Sequence, residues 1–193
     1  MCPDSTSFYD GNPEGYSAKT FTADVSDLRN RFTAFLPEGA FVLDLGCGSG
    51  RDSLAFHQMG FDVTSVDGSE GMCRVARENT GLEVRRLLFS DLDYIDEFDG
   101  VWACSTLLHV PSDELPHILA LIRRSLHRDG LFYMSFKDGG FEGERDGRYY
   151  TDMTVDDIPS LAESNGFDVV DVWNSREPDR DILWTNAILR RKG

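Results

Sequence analysis

The sequence predicts a doubly wound α/β fold built on a mostly parallel sheet of seven strands. Short apolar runs alternate with stretches of helical periodicity between residues 41 and 136. This alternation is typical of a parallel sheet with helices on both faces. The first apolar run ends in a glycine-rich turn, and two further runs near the end of the chain predict a hairpin. The hairpin would place one antiparallel strand in the sheet.

Length and composition fit a single domain, since the chain has 193 residues of which 40% are hydrophobic. Its apolar runs are shorter than the roughly 20 residues that span a bilayer. The first residues lack the basic and apolar segments of a signal peptide, so we expect a cytoplasmic protein. No CxxC pair or metal-ligand spacing occurs, which predicts reduced thiols and no metal site. The cysteines are Cys2, Cys47, Cys73 and Cys104.

The formal net charge is −15. A surface this negative repels phosphate backbones and anionic lipid headgroups. We therefore expect neither a nucleic acid nor a membrane as a partner. The sequence leaves the choice between a monomer and a homodimer open.

The N-terminal part, residues 1–36, predicts a helical cap. Residues 1–16 are polar and contain prolines and glycines, so they are expected to be irregular. Apolar residues then recur at helical spacing across residues 17–36. Pro37 and Gly39 end this predicted helix.

Residues 37–136 predict the core of the sheet. The predicted strands are 41–45, 62–66, 84–89, 100–104 and 131–136. The predicted helices are 51–59, 69–79 and 113–126, the last capped by Ser112 or Asp113.

The rest of the chain has a different pattern. Residues 137–153 predict a polar, glycine-rich loop, and residues 154–193 predict a helix and a strand pair. The helix would run from residue 154 to residue 165, and the strands would cover 168–173 and 183–189.

The first predicted strand leads directly into Gly46-x-Gly48-x-Gly50 and then a helix. Glycines allow a tight turn and a close approach of backbone to a ligand, although they also occur in ordinary loops. The start of the helix offers free N–H groups that suit a carboxylate. The GxGxG spacing differs from the GxGxxG of dinucleotide sites, which disfavours a nicotinamide cofactor.

Two acidic residues follow the next strands. Asp67 stands at the interval expected for an acid that binds ribose hydroxyls. Asp91, in Ser90-Asp91-Leu92, is placed to accept a hydrogen bond from an adenine amino group. Solvated carboxylates at the strand ends are the alternative interpretation for both.

These residues resemble those of the class I S-adenosylmethionine-dependent methyltransferases, over nearly the whole chain. The stretch VLDLGCGSGRDSL, residues 42–54, is most similar to the small bacterial tellurite-resistance methyltransferases. The segments 60–67 and 98–100 and the terminal strand pair also fit. One departure is the turn before the fifth strand, where the family's Lys-Pro-Gly-Gly is replaced by residues 126–130. That turn lies at the opposite end of the sheet from the ligand.

The resemblance implies S-adenosylmethionine as cofactor and assigns its contacts. Asp44 and the glycine loop would hold the methionine part, and Asp67 the ribose. Tyr16, with Arg29 or Arg31, would close over the cofactor. The implied contacts are Tyr16, Asp44, Leu45, Gly46, Cys47, Gly48, Ser49, Gly50, Arg51, Asp67, Gly68, Ser69, Met72, Ser90, Asp91, Leu92, Ala103 and Cys104.

His109 is the histidine placed for chemistry, because it follows the fourth strand at the ligand end of the sheet. A general base is required only when the acceptor must lose a proton. Soft anions, such as thiolates and selenite- or tellurite-derived species, need none. Anchoring of a loop is the alternative role for His109.

Arg145, Arg148 and Tyr149 follow the fifth strand and are candidates for binding the acceptor. An arginine there would hold a carboxylate or another oxyanion, and Tyr149 and Tyr150 would wall the pocket. The alternative is a surface loop with Arg–Asp pairs. We expect a compact pocket between these residues, His109 and the helix 17–36, roofed by Tyr9 or Tyr16.

The resulting prediction is a methyltransferase that acts on a small-molecule acceptor. Two alternatives remain open, a protein or RNA methyltransferase and a non-catalytic S-adenosylmethionine-binding protein. After the fourth strand the chain reads Ala103-Cys104-Ser105-Thr106. This is not the Asn/Asp-Pro-Pro-Tyr/Phe signature of enzymes that methylate amino groups of nucleic acids.

Overall fold

The computed structural model describes residues 5–177 and 181–193, so Cys2 lies outside the described residues. The strands are β1 Phe41–Leu45, β2 Asp62–Asp67, β3 Val84–Arg86, β4 Phe98–Ala103, β5 Leu126–Lys137, β6 Glu142–Arg145, β7 Arg148–Thr151, β8 Phe167–Arg176 and β9 Leu183–Arg191. The helices are α1 Ser5–Asp10, α2 Pro13–Thr20, α3 Ser26–Thr33, α4 Arg51–Gln58, α5 Glu70–Thr80, α6 Leu115–Ser125 and α7 Ile158–Ser164.

Seven strands form one sheet in the order β3-β2-β1-β4-β5-β9-β8, which confirms the predicted fold. Strands β1 to β5 pair in parallel, and β9 runs antiparallel to both β5 and β8. The predicted hairpin and its single antiparallel strand are therefore confirmed. The ligand end of such a sheet is the carboxyl end of its parallel strands.

Apolar side chains fill both faces of the sheet, as expected for a sheet buried between helices. On one face, Trp102 of β4 stacks on Tyr133 of β5 with ring centroids 3.9 Å apart. Phe32 of α3 and Phe56 of α4 pack edge-on or tilted against Trp102. The other face is covered by α6 and α7, whose buried side chains include Ile122.

The N-terminal cap differs from the prediction. Residues 5–20 form α1 and α2 instead of irregular chain, and the predicted helix 17–36 is broken between α2 and α3. The Asn12 side chain accepts a hydrogen bond from the Gly15 N–H, and Pro13 occupies the first helical position, where it is well tolerated. Asp24 then accepts a hydrogen bond from the Ser26 N–H, which starts α3.

The predicted polar loop 137–153 is wrong in part, because β6 and β7 form a hairpin within it. Arg145 pairs with Arg148 across a two-residue turn made of Asp146 and Gly147. Both turn residues have positive φ, 53° and 74°. Asp-Gly is a typical sequence for a two-residue hairpin turn of this kind.

Several predicted boundaries also shift, among them the start of β5, which lies at Leu126 and not at residue 131. β3 is shorter than predicted, since a 3₁₀ turn at Phe89–Asp91 follows it. The predicted cap of α6 is wrong, because that helix begins at Leu115 and the Ser112 backbone and hydroxyl both donate to Glu142. α7 begins at Ile158. Among the described helices, none has the length and apolarity needed to cross a bilayer.

Candidate active site

The central cleft has a volume of about 780 Å³ and lies at the carboxyl ends of the parallel strands. This volume is within the usual range for sites of small ligands and cofactors. Its floor is the glycine loop and the ends of β2, β4 and β5, and its roof is formed by α1 and α2. The hairpin β6–β7 supplies one wall through Arg148 and Tyr150.

The three glycines of the loop serve different purposes. A Cβ at Gly46 would lie 2.0 Å from the Thr106 hydroxyl oxygen, and one at Gly50 would lie 2.7 Å from Thr80. A Cβ at Gly48 would meet no heavy atom within 4 Å, although the φ of Gly48 is +56°. Gly46 and Gly50 therefore allow the protein to pack on itself, while Gly48 borders the cleft.

Asp67, at the end of β2, is held in place by backbone N–H groups. Its two carboxylate oxygens accept hydrogen bonds from the Gly48 N–H and the Ser69 N–H, both at 2.9 Å. Burial raises the pKa of Asp67 above its ordinary value. Asp67 is therefore a carboxylate of fixed orientation on the wall of the cleft.

Asp44 lies on the cleft floor, where it is 2% exposed. Its Oδ2 accepts a 2.6 Å hydrogen bond from Ser53. Burial and the nearby Asp52 raise the pKa of Asp44. Within the described part of the chain, no basic side chain forms a salt bridge with Asp44, and the nearby Arg51 pairs with Asp52 instead.

Asp52 differs because it is already surrounded by donors. It accepts hydrogen bonds from Arg29 at 2.5 Å, from Arg51 at 2.7 Å and from the Trp102 indole at 3.0 Å. The predicted role of Arg29 as a cover over the cofactor is therefore wrong. Arg31 is also turned away, since it pairs with Asp171.

Of the residues predicted to contact adenosine, only some border the cleft. Gly68 and Met72 border the cleft together with Leu87, Leu88 and Phe89. The predicted Ser90, Asp91 and Leu92 do not border it: Leu92 is buried in the core, and the 3₁₀ turn leaves Ser90 and Asp91 exposed. Other predicted contacts that lie outside the cleft lining are Leu45, Gly50, Ser69 and Ala103.

Their positions explain why these residues do not line the cleft. Leu45 and Ala103 are fully buried inside the sheet. Ser69 caps α5, since its hydroxyl accepts from the Met72 N–H.

The predicted contacts Tyr16, Cys47, Ser49, Arg51 and Cys104 do border the cleft. Cys47, Cys73 and Cys104 are free thiols.

The roof is tied to the start of α5. The Asp10 carboxylate accepts hydrogen bonds from the Ser69 hydroxyl at 2.5 Å and the Gly71 N–H at 2.9 Å. Both Tyr9 and Tyr16 line the cleft, with ring centroids 4.9 Å apart. The roof therefore contains both tyrosines that the sequence offered as alternatives.

His109 borders the cleft from the loop after β4. Its Nδ1 lies 2.7 Å from the Tyr149 carbonyl oxygen, and its Nε2 lies 2.7 Å from the Tyr9 hydroxyl. Burial lowers the pKa of His109 to about 4. The imidazole is therefore neutral near pH 7 and has both nitrogens engaged, which fits an anchoring role.

The hairpin brings two of its side chains to the cleft and turns others away. Arg148 and Tyr150 line the cleft, whereas the Tyr149 hydroxyl donates to Glu142 on the outer side. Successive residues of a strand point to opposite faces, so of the two predicted tyrosines Tyr150 borders the cleft and Tyr149 does not. Arg145 donates to Asp152 at 3.0 Å and does not border the cleft.

Sequence reasoning missed Asp52 and Lys137 as members of the site. Asp52 follows the glycine loop by two residues, and Lys137 is the last residue of β5. Lys137 could have been predicted as a site residue, because ligands bind at the carboxyl ends of parallel strands and Lys137 ends one. Within residues 5–177 and 181–193, no group of three or more His, Cys, Asp or Glu side chains is arranged to hold a metal ion.

Residues 42–130 match the model of a methyltransferase domain. This segment, a little under half of the chain, is therefore similar to a methyltransferase domain. The match and the fold agree with the predicted class, the S-adenosylmethionine-dependent methyltransferases. S-adenosylmethionine is the cofactor of that class, and the acids Asp44 and Asp67 both border the cleft with Gly48.

Two relatives of known sequence illustrate the similarity. The chain is 32% identical over 161 residues to malonyl-[acyl-carrier protein] O-methyltransferase of Geobacter sulfurreducens, covering 72% of this chain and 60% of that one. It is 25% identical to ribosomal protein L11 methyltransferase of Thermotoga petrophila, covering 81% of this chain and 52% of that one. The chain thus spans less than two thirds of either relative.

Solved structures show the same fold. The 1,6-didemethyltoxoflavin-N1-methyltransferase of Burkholderia thailandensis, solved with 1,6-didemethyltoxoflavin and S-adenosylhomocysteine, superposes with a TM-score of 0.80. It is 24% identical, and the match covers 98% of this chain and 86% of that one. At this identity the likeness concerns the fold alone.

Proposed function

We propose that this chain transfers a methyl group from S-adenosylmethionine to a small-molecule acceptor by in-line displacement. The observation that carries the proposal is the continuity of the central cleft, which borders Asp67 and Gly48 at one end and His109 and Tyr150 at the other. The roof of Tyr9 and Tyr16 restricts access to the second end. A roofed pocket suits a small acceptor better than a macromolecular surface.

The proposed cofactor contacts follow the order of the cleft. Asp44 would accept from the ammonium group of the methionine part, and Asp67 from the ribose hydroxyls. Gly48 would lie against the cofactor, because its Cα faces open space. Tyr16 would cover it from α2. Ser90, Asp91 and Leu92 would join only after the turn at Phe89–Asp91 rearranges.

Bound S-adenosylmethionine supplies an electrophilic methyl group on a positively charged sulfur. The contribution of the chain is to align the acceptor with that methyl and to exclude water, and these effects supply most of the acceleration in such displacements. His109 would position the roof through Tyr9 and would not act as the base. A soft nucleophile needs no base, which agrees with the proposed resemblance to tellurite-resistance methyltransferases.

A protein methyltransferase is the second candidate, because the relative from Thermotoga petrophila methylates ribosomal protein L11, as its name states. RNA is disfavoured by the net charge of −15. A non-catalytic cofactor-binding protein is the third candidate. A cytoplasmic location and the oligomeric state also stay predictions.

Release of S-adenosylhomocysteine tests the proposal directly. The purified chain would be incubated with S-adenosylmethionine and a panel of thiols, phenols, amines and selenite, with ribosomal protein fractions as a separate arm. We expect turnover with one small-molecule class and none with the protein fractions. Turnover with the protein fractions alone would contradict a small acceptor, and binding of S-adenosylhomocysteine without turnover in any arm would favour the non-catalytic candidate.

A further inference from the structure

The acceptor end of the central cleft concentrates positive charge in an otherwise acidic protein. Lys137 Nζ lies 4.1 Å from the centroid of the Tyr150 ring, and the Arg148 guanidinium carbon lies 5.2 Å from the same centroid. Both side chains line the cleft. The whole chain has a net charge of −15, so this local excess of cations runs against the overall balance.

These two cations lack the anionic partner that a third one has. The Arg145 guanidinium carbon lies 4.5 Å from the Tyr150 centroid, but its Nη2 donates to Asp152 at 3.0 Å. In the described part of the chain, Lys137 and Arg148 form no ion pair with a carboxylate. The Arg148 guanidinium instead donates to the Tyr9 hydroxyl at 3.4 Å, and its Nε is buried without a hydrogen-bond partner.

Holding Lys137 beside two arginines has an electrostatic cost. Burial lowers the pKa of Lys137, and Arg145 and Arg148 lower it further, while Asp152 and Asp146 offset part of this effect. Like charges at short range are unfavourable unless an opposite charge compensates them. An anion placed between Lys137 and Arg148 would reverse this cost and would satisfy their free donors.

We propose that Lys137 and Arg148 form an oxyanion-binding subsite, so that the methyl acceptor carries a carboxylate, phosphate or similar group. This inference rests on the proposed function and names the class of its acceptor. Arginine presents parallel N–H donors that match such groups, and lysine adds a compact charge. The Tyr150 ring lies within cation–π distance of both side chains. The Tyr9 hydroxyl holds Arg148 toward the roof.

Matched pairs of probes test the subsite on protein saturated with S-adenosylhomocysteine. Calorimetry would compare 4-hydroxybenzoate with its neutral isostere 4-hydroxybenzamide, and phenyl phosphate with phenol. We expect each anion to bind about tenfold more tightly than its neutral partner, as charge-assisted hydrogen bonds predict. Lys137→Met and Arg148→Met should each remove most of that preference and leave binding of the neutral probes unchanged. If both the carboxylate and the phosphate bind more tightly than their neutral partners, the subsite accepts oxyanions in general. If only one of them does, the subsite is specific for that group.

Lys192→Met is the matched control, because it removes the same charge from an exposed ion pair with Asp168, outside the cleft lining. It should keep the full anion preference. Equal binding of charged and neutral probes, retention of the preference in both cleft variants, or failure of every anion to bind would overturn the subsite. Failure of the protein to bind S-adenosylhomocysteine in the first step would instead contradict the proposed function.

Discussion

The Tyr9 hydroxyl lies 2.7 Å from Nε2 of His109, across 100 residues of sequence. The other ring nitrogen, Nδ1, faces the Tyr149 carbonyl at 2.7 Å. A carbonyl can only accept, so Nδ1 carries the proton and Nε2 accepts from Tyr9. His109 therefore joins α1 of the roof to the hairpin β6–β7, and both elements line the cleft.

This link predicts energetic coupling between Tyr9 and His109. In a double-mutant cycle with Tyr9→Phe and His109→Leu, we expect a coupling of about 0.5–1.5 kcal/mol in the free energy of unfolding, the scale of one hydrogen bond. Tyr149→Phe is the control partner, because its hydroxyl contacts Glu142 instead. Denaturant unfolding measures both cycles. Additive effects of Tyr9→Phe and His109→Leu would show that the contact contributes nothing.

The low pKa of His109 predicts a pH dependence of stability. Burial lowers its pKa from the ordinary 6.5 to about 4 in the folded protein. Between these values the unfolded chain binds the extra proton and the folded chain does not, so the free energy of unfolding falls as the pH falls from 6.5 toward 4. The limiting slope is about 1.4 kcal/mol per pH unit.

Comparison with His109→Leu isolates this contribution from that of the carboxylates. The difference in unfolding free energy between the unsubstituted protein and His109→Leu should shrink as the pH falls from 6.5 toward 4. Above pH 6.5 it should be constant. A difference that is independent of pH from 4 to 8 would mean that His109 titrates normally in the folded state.

The sequence predicted the sheet because each parallel strand combines an apolar run with a clear end, as β1 and its glycine loop illustrate. It did not predict the roof, since α1 is only six residues long and has no buried residue of its own. That helix is held by contacts distant in sequence, through Asp10 and Tyr9. The sequence also did not predict which side of β7 faces the cleft. The Asp146-Gly147 turn sets the register of the hairpin, but the prediction treated it as part of a loop.

Asp44 is expected to lower the stability of the ligand-free protein. Burial and Asp52 raise its pKa, so the charged form is disfavoured in the fold. Asp44→Asn should increase the free energy of unfolding without ligand by on the order of 1 kcal/mol. The same change should weaken binding of S-adenosylhomocysteine about tenfold or more, since it removes a charge-assisted contact with the ammonium group.

Asp62→Asn is the control for this prediction. Asp62 is an exposed carboxylate at the start of β2, away from the cleft. Asp62→Asn should change neither the free energy of unfolding nor the affinity for S-adenosylhomocysteine. Thermal and denaturant unfolding, with calorimetry for the ligand, measure both; a less stable Asp44→Asn protein with unchanged affinity would refute the assignment of Asp44.

Gly48 allows backbone strain to be separated from ligand contact. Gly48 and Gly39 have φ values of +56° and +70°, and a Cβ at either would meet no heavy atom within 4 Å. Gly48→Ala and Gly39→Ala should therefore lose similar stability, about 1–2 kcal/mol for a left-handed alanine. Only Gly48→Ala should also weaken binding of S-adenosylhomocysteine. Equal affinity in the two variants would show that the loop at Gly48 is only a turn.

The central claim is that the cleft beside Asp67 binds S-adenosylmethionine through its ribose, and calorimetric titration with S-adenosylhomocysteine tests it most directly. We expect one molecule to bind per chain and NAD to give no comparable signal. Asp67→Ala should weaken the binding by roughly 1–3 kcal/mol, the scale of charge-assisted hydrogen bonds. Tight binding of NAD without a response to S-adenosylhomocysteine, or full affinity in a folded Asp67→Ala protein, would contradict the claim.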